Sequence, residues 1–304
     1  MTLKLQHFTV LSGLAALLVS VSPSFAAQVP IAPPSAPHPL VARVLAQTTA
    51  TDFVKRGITK GKNGDFKGAL ADFNQALKLD SRNAEAYNGR GAARVYLGDR
   101  QGAMADFDQS LKLNPNFAKP YYNRAMLRFA QGNKQGAIAD FTQALKIAPS
   151  ATVYNDRGNA RGDVGDTKGA LADYNQALKL DPTYADAYDN RGRLKRRLGD
   201  KQGAIADLNQ SVKLNPNSAA AYNNRGLIRA DVGDRSGALS DFNQAIKLNP
   251  KLAQTYGNRG SIRAAQGDKK GAIQDLQKAA ELFRQQGRSQ DYQKVQNALK
   301  KLRR

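Results

Sequence analysis

From Ala50 to about Phe283, apolar residues return at helical spacing, and the whole pattern then returns after about 34 residues, seven times in all. In the run Ala221 to Leu252, residues Ala238, Leu239, Phe242, Ala245 and Ile246 gather on one face of a helix with 3.6 residues per turn. The half-unit before them predicts a second, shorter helix. With each unit numbered from one, the starts fall at Ala50, Ala84, Ala118, Ala151, Ala185, Ala219 and Ala253, and the third unit loses one residue just after Pro149. A helical hairpin of this size cannot bury its apolar face alone. Stacked neighbours must cover it, which predicts a solenoid with a long open surface. A surface of that kind suits binding.

The places within a unit have mechanical roles. Place eight is Gly in six units and Ala125 in the third, so a second helix can approach closely. A Gly-Asp pair, as in Gly98-Asp99 or Gly233-Asp234, ends the first helix and caps the next. Place 20 is Ala throughout, and place 24 is Phe, Tyr or Leu. Lys at place 29 suits the negative end of the second helix. Pro115, Pro149, Pro182, Pro216 and Pro250 at place 32 close five of the units.

A large residue at place four, Gly or Ala at eight, Ala at 20, an aromatic at 24 and Pro at 32 resemble the tetratricopeptide repeat. The resemblance implies an all-α fold: a right-handed α-solenoid of seven helix-turn-helix units, 50–83, 84–117, 118–150, 151–184, 185–218, 219–252 and 253–287. It also implies that the first helix of each unit lines a concave groove.

One departure recurs. The family usually has apolar or aromatic residues at places seven and eleven. Here place seven is always Arg (Arg56, Arg90, Arg124, Arg157, Arg191, Arg225, Arg259) and place eleven is Arg or Lys. Place 23 is always Asp. Like charges at i, i+4 repel and need a common acceptor. A carboxylate on the facing helix can accept bidentate guanidinium contacts. An Arg–Asp–Arg ladder between the two helices is therefore predicted, in preference to an anionic ligand held by these cations.

The chain has no Cys, and its two His, His7 and His38, lie outside the repeats. That leaves no Cys or His metal site, no disulfide, and no Cys–His or Ser–His–Asp arrangement. The reading is therefore of a non-enzyme without cofactor or metal. The net charge of +21 invites a nucleic-acid partner. The ladder accounts for a third of it, since fourteen cations at places seven and eleven against seven Asp leave +7. No dense patch with interleaved aromatics stands out except in the fifth unit, NRGRLKRRLGDK, where Arg193, Arg196 and Arg197 form a candidate anion-facing spot. A solvated charge run is the alternative there.

The ends differ from the repeats. Lys4, the apolar stretch Phe8 to Val21, and small residues before Ala26 match a secretory signal peptide, residues 1–26. A retained anchor is the alternative. Export to a periplasm, an equivalent lumen or the cell surface argues further against nucleic acid. Residues 27–49 read as a Pro-rich linker, in which Leu40 to Ala46 has the composition for a short helix over the first repeat. Residues 288–304 carry Tyr292, Val295, Leu299 and Leu302 at helical spacing and read as a basic capping helix. A basic amphipathic helix on an anionic membrane is the alternative.

By the family's geometry, places five and six face the groove. Asn88 at place five and Asn123, Asn190, Asn224 and Asn258 at place six form a row whose amides could hold an extended peptide backbone. Alternatively they bond only the neighbouring helix. Tyr122, Met126 and Phe129 make the third unit's face apolar, Asp163 makes the fourth acidic, and Arg193, Arg196 and Arg197 make the fifth basic. The expected function is an exported scaffold that binds protein or peptide in its groove and serves assembly or organisation in the cell envelope. The rival is an electrostatic binder of an anionic polymer or lipid surface. Oligomeric state stays open.

Overall fold

The computed structural model describes residues 49–303. The expected signal peptide, nearly all of the Pro-rich linker and its short helix lie outside the described residues. Among the described residues every element is an α-helix. They fall into two compact units divided at Ala148 and Pro149. The first holds α1 (Ala50–Lys62), α2 (Phe66–Leu79), α3 (Ala84–Leu97), α4 (Arg100–Leu113), α5 (Ala118–Ala130) and α6 (Lys134–Ile147). The second holds α7 (Ala151–Asp163), α8 (Thr167–Leu180), α9 (Ala185–Arg197), α10 (Lys201–Leu214), α11 (Ala219–Asp231), α12 (Arg235–Leu248), α13 (Ala253–Ala265), α14 (Lys269–Gln285) and α15 (Ser289–Arg303). Within each unit, helix pairs stack in chain order as in a helical solenoid, and α15 packs on α14 at the end of the second.

Turn chemistry sets the bounds of each pair. The Gly at place 15 has φ between 82° and 89° in all seven repeats, a left-handed conformation that other residues adopt at a cost. The next residue, Asp in six repeats and Asn133 in the third, caps the second helix by accepting the N–H of the Gly three residues on at 2.8–2.9 Å. Between the helices, Gly at place eight permits close approach: a Cβ on Gly91 would lie 2.7 Å from the ring of Phe107. The core is a column of place-20 Ala and place-24 Phe, Tyr or Leu side chains, all buried. The C-terminal helix α15 sets Val295 and Leu299 against Leu276, Ala280 and Phe283 of α14, covering the last repeat.

The ladder forms in every repeat. The place-seven Arg donates Nε to Oδ2 of the place-23 Asp at 2.8–3.0 Å and Nη2 to Oδ1 at 2.5–2.7 Å. The place-eleven cation adds a third contact to Oδ2 at 2.7–2.9 Å. The Asp is buried each time. Each place-seven guanidinium also lies over the aromatic ring three residues earlier on its own helix, 4.7–5.6 Å from the centroid. In the second, fifth, sixth and seventh repeats its remaining Nη1 donates to an Asn on the preceding repeat's second helix, as in Arg90 to Asn74 and Arg225 to Asn209. The triad therefore ties repeat to repeat as well as helix to helix, a role the sequence did not suggest.

A buried carboxylate stripped of its partners, or cations stripped of their carboxylate, cost far more than the intact group contributes. Asp241→Ala is expected to destabilise the chain by about 3–5 kcal/mol. The triple change Arg225→Leu, Arg229→Tyr, Asp241→Leu, which restores the family's usual apolar character at places seven and eleven, is expected to be near neutral or stabilising. Urea unfolding followed by circular dichroism compares the two.

The first rung of the ladder also sets a pH dependence. The hydrogen bond from Arg56 holds Asp72 below its ordinary value of 3.8, against the opposing effect of burial. A depressed folded pKa means that the unfolded chain takes up its proton first. Stability from this group is fully present above 3.8 and is lost as pH falls through the folded value. The midpoint of urea unfolding should decline below about pH 4 as this group is protonated.

Candidate functional site

Within each unit, first helices of successive repeats touch one another, while second helices stand further apart. The first helices thus line the inner side of the bend, and places five and six meet between repeats. Asn123 Nδ2 donates to Asn88 Oδ1 at 2.9 Å, Asn190 to Asn155 at 2.9 Å, and Asn258 to Asn223 at 3.1 Å. Asn224 donates to both oxygens of Asp189 at 2.9 and 3.1 Å. The amide row expected from the sequence exists, and each place-six amide bonds the neighbouring helix. One N–H of each is committed to the scaffold, and a peptide could engage only what remains. Asn88 and Asn155 are themselves buried.

The signal for this pairing lies in the sequence at two places read together. Where place five offers an amide or carboxylate (Asn88, Asn155, Asp189, Asn223), place six of the next repeat is Asn. Where place five is Val54, the next place six is Gly89, and a Cβ there would lie 2.4 Å from the Phe73 ring. An Asn at position 89 would have neither an acceptor nor room.

In the first unit the inner face is largely apolar. Met126 and Phe129 are half-buried on α5, and Tyr122 packs tilted against Phe141 with centroids 6.0 Å apart. Val95 packs on the cluster of Ala103, Phe107 and Leu127. Tyr96 stacks flat on Phe66, centroids 3.9 Å apart, with Tyr96 still 39% exposed. Phe66, at the start of α2, escaped the sequence reading because other repeats carry Arg, Lys or Thr there.

The second unit's inner face is charged and largely self-paired. Arg196 Nε binds Asp231 Oδ2 at 2.6 Å, and Lys201 Nζ donates to the Asp231 carbonyl at 2.9 Å. Arg197 Nη2 donates to the Gly162 carbonyl at 3.3 Å. These cations reach the carbonyl ends of α11 and α7, where helix dipoles are negative. Two of the three arginines expected to face an anion therefore lash α9 to its neighbours. Arg193 is exposed, with a long contact of 3.4 Å to Asn190 Oδ1. Asp163 is exposed at the end of α7. Beneath them Tyr174, which replaces the Phe or Leu of other repeats, donates its hydroxyl to Asn159 at 2.8 Å, and burial pushes its pKa up. Neither Tyr174 nor Asn159 was singled out by sequence, because Tyr at place 24 reads as core. Among the described residues no group of His, Cys, Asp and Glu could hold a metal ion.

Models of the tetratricopeptide repeat match this chain at residues 84–117, 118–150 and 223–288, and a TPR repeat model matches 62–98, 158–199 and 192–233. Together they take in most of the chain. A tetratricopeptide repeat protein from Parabacteroides merdae is 18% identical with a TM-score of 0.61, over 84% of this chain and 99% of its own. YrrB, described as a TPR protein with an unusual peptide-binding site, is 21% identical with a TM-score of 0.51, over 60% of this chain and 95% of its own. A chain of the Cut9–Hcn1 hetero-tetramer of the APC/C is 18% identical with a TM-score of 0.62 over 73% of this chain. This chain spans only 45% of that protein's length. At these identities the likeness is one of fold. No protein of curated function matches in sequence.

The carboxylate at Asp189 stands where other repeats have an amide. Burial raises its pKa, while the Asn224 amide and the charge of Arg193 act in the opposite direction. A raised folded pKa means that the fold carries a penalty at neutral pH, which vanishes as pH falls to the ordinary value of 3.8. Asp189→Asn should therefore raise stability at pH 7 and keep the bond from Asn224. The difference between variant and parent should shrink as pH is lowered, as measured by urea unfolding at each pH.

Proposed function

Because the chain belongs to the tetratricopeptide-repeat family and is built as a scaffold for protein–protein interaction, we propose that it holds an extended peptide along the inner face of its first helices. The observation that carries this reading is the distribution of variation. The ladder, caps and Ala column repeat with little change, whereas the inner face shifts from the half-exposed Tyr96, Met126 and Phe129 in one unit to Asp163 and Arg193 in the other. A scaffold alone does not require such differences. YrrB, which shares the fold, is described as having a peptide-binding site, and this supports the same use here.

The segment 1–26 supports export, so the partner is sought in a periplasm, an equivalent lumen or at the cell surface, and the role is assembly or organisation in the envelope.

Peptides selected from a random display library against the full chain provide the test. The selected sequences should share an apolar stretch. The double change Met126→Ser, Phe129→Ser should weaken their binding at least about tenfold, the loss expected for two half-buried apolar contacts, with helicity by circular dichroism unchanged. Replacing Asn123, Asn190, Asn224 and Asn258 together by Ala should instead lower stability, since each bonds the preceding repeat. Peptides that bind equally well to the Met126/Phe129 variant would overturn the proposal.

A further inference from the structure

The charge of +21 is displayed unevenly. On the inner side, cations at places seven and eleven are met by the buried Asp of the ladder and, in several repeats, by the capping Asp as well. The second helices differ. In α2, α4, α6, α8, α10 and α12 the acidic residues are the ladder Asp and Asp108, and Asp108 is held by Arg124. Within their bounds these helices therefore carry no free carboxylate, although Asp80 and Asp181 follow α2 and α8 as C-caps. Each carries one exposed lysine in its last turn: Lys78, Lys112, Lys146, Lys179, Lys213 and Lys247. None of the six forms an ion pair among the described residues.

The residue after each of these lysines is Leu or Ile, and folding leaves several of them in water. Leu79 is 59% exposed, Leu180 50% and Ile147 36%. The helix dipole accounts for a cation in the last turn. It does not account for the exposed aliphatic side chains beside Lys78, Lys146 and Lys179. A soluble polyanion would be served by the lysines alone. Lysines paired with apolar side chains match the boundary of an anionic bilayer, where headgroups meet cations and aliphatic tips enter the acyl margin. No described helix is long and apolar enough to cross a membrane, so the contact would be peripheral.

We propose that the outer face of the second helices docks on anionic lipid surfaces. This face is distinct from the inner surface of the first helices, so a peptide held there would remain accessible while the protein lies on a bilayer.

Flotation of the full chain with vesicles tests this. Neutral vesicles are phosphatidylcholine, and anionic vesicles are equal parts phosphatidylcholine and phosphatidylglycerol. The quantity compared is the ratio of binding on anionic to neutral vesicles, which removes any contribution from the apolar segment Phe8 to Val21. The parent should strongly prefer anionic vesicles. Lys179→Glu, Lys213→Glu, Lys247→Glu together should cut that ratio at least about tenfold, given the worth of each cation at such a surface. Leu79→Ser, Ile147→Ser, Leu180→Ser together should weaken binding to anionic vesicles by a similar factor, without changing helicity or capture of the selected peptides. An equal ratio for parent and lysine variant would overturn the proposal. So would a serine variant with undiminished vesicle binding, which would mark the face as a site for soluble polyanions such as dextran sulfate.

Discussion

A carboxylate buried between two helices needs cations, and this chain supplies two for each of seven. That requirement governs the rest of the repeat. The place-23 Asp can be buried only if an Arg delivers two parallel hydrogen bonds and a second cation a turn later fills the remaining lone pair. This fixes the rotation of the first helix against the second. It also fixes the aromatic at place four, over which the guanidinium lies, and the Asn at place 25 of the preceding repeat, which takes the nitrogen left over. A purely apolar interface would tolerate sliding or repacking. A forked guanidinium tolerates neither, so the ladder defines register at a cost in stability that apolar residues would avoid.

Features that repeat at a single place were legible in the sequence. The helix starts, the Gly turns, the caps and the ladder all follow from reading one column at a time. Features made by two columns in different repeats were hidden. For Asn123 and Asn190 a ligand and the neighbouring helix stayed equal readings, because Asn88 was counted as a further member of the row and not as an acceptor. Arg196 looked like part of a basic spot because Asp231, its partner, stands 35 residues away on the first helix of the next repeat. The contact of Arg197 was hidden for a different reason. Its partner is the Gly162 carbonyl, and backbone acceptors at helix ends leave no trace in side-chain identity.

The two faces of a helix pair have been freed to different degrees. The inner face shares its positions with the amide bonds between repeats, so changes at places five and six come in matched pairs at Val54 with Gly89 and at Asp189 with Asn224. Places nine, twelve and thirteen carry the independent variation, in Met126, Phe129, Asp163 and Arg193. The outer face of the second helices has no such coupling, yet it stays uniform: Lys followed by an aliphatic residue through six repeats. The helix dipole favours the Lys, and the aliphatic side chains left exposed beside Lys78, Lys146 and Lys179 suit a uniform, unpatterned surface better than a specific peptide.

The third repeat shows that charge is balanced locally. It is the one repeat in which the capping residue is an amide, Asn133, so its cations lack the carboxylate that Arg94 and Arg161 find nearby. The deficit is met from the preceding repeat. Asp108 stands where the first, fourth, fifth and sixth repeats have Asn, and it takes the free nitrogen of Arg124 as a full ion pair. Burial works against the charge on Arg124, but its bonds to Asp140 and Asp108 outweigh that and hold its pKa above the ordinary arginine value. A carboxylate removed at one place is thus restored at another within reach of the same pair of cations. That compensation is what a ladder held by electrostatics requires, because two adjacent guanidinium groups left with a single buried aspartate would repel across one turn of helix.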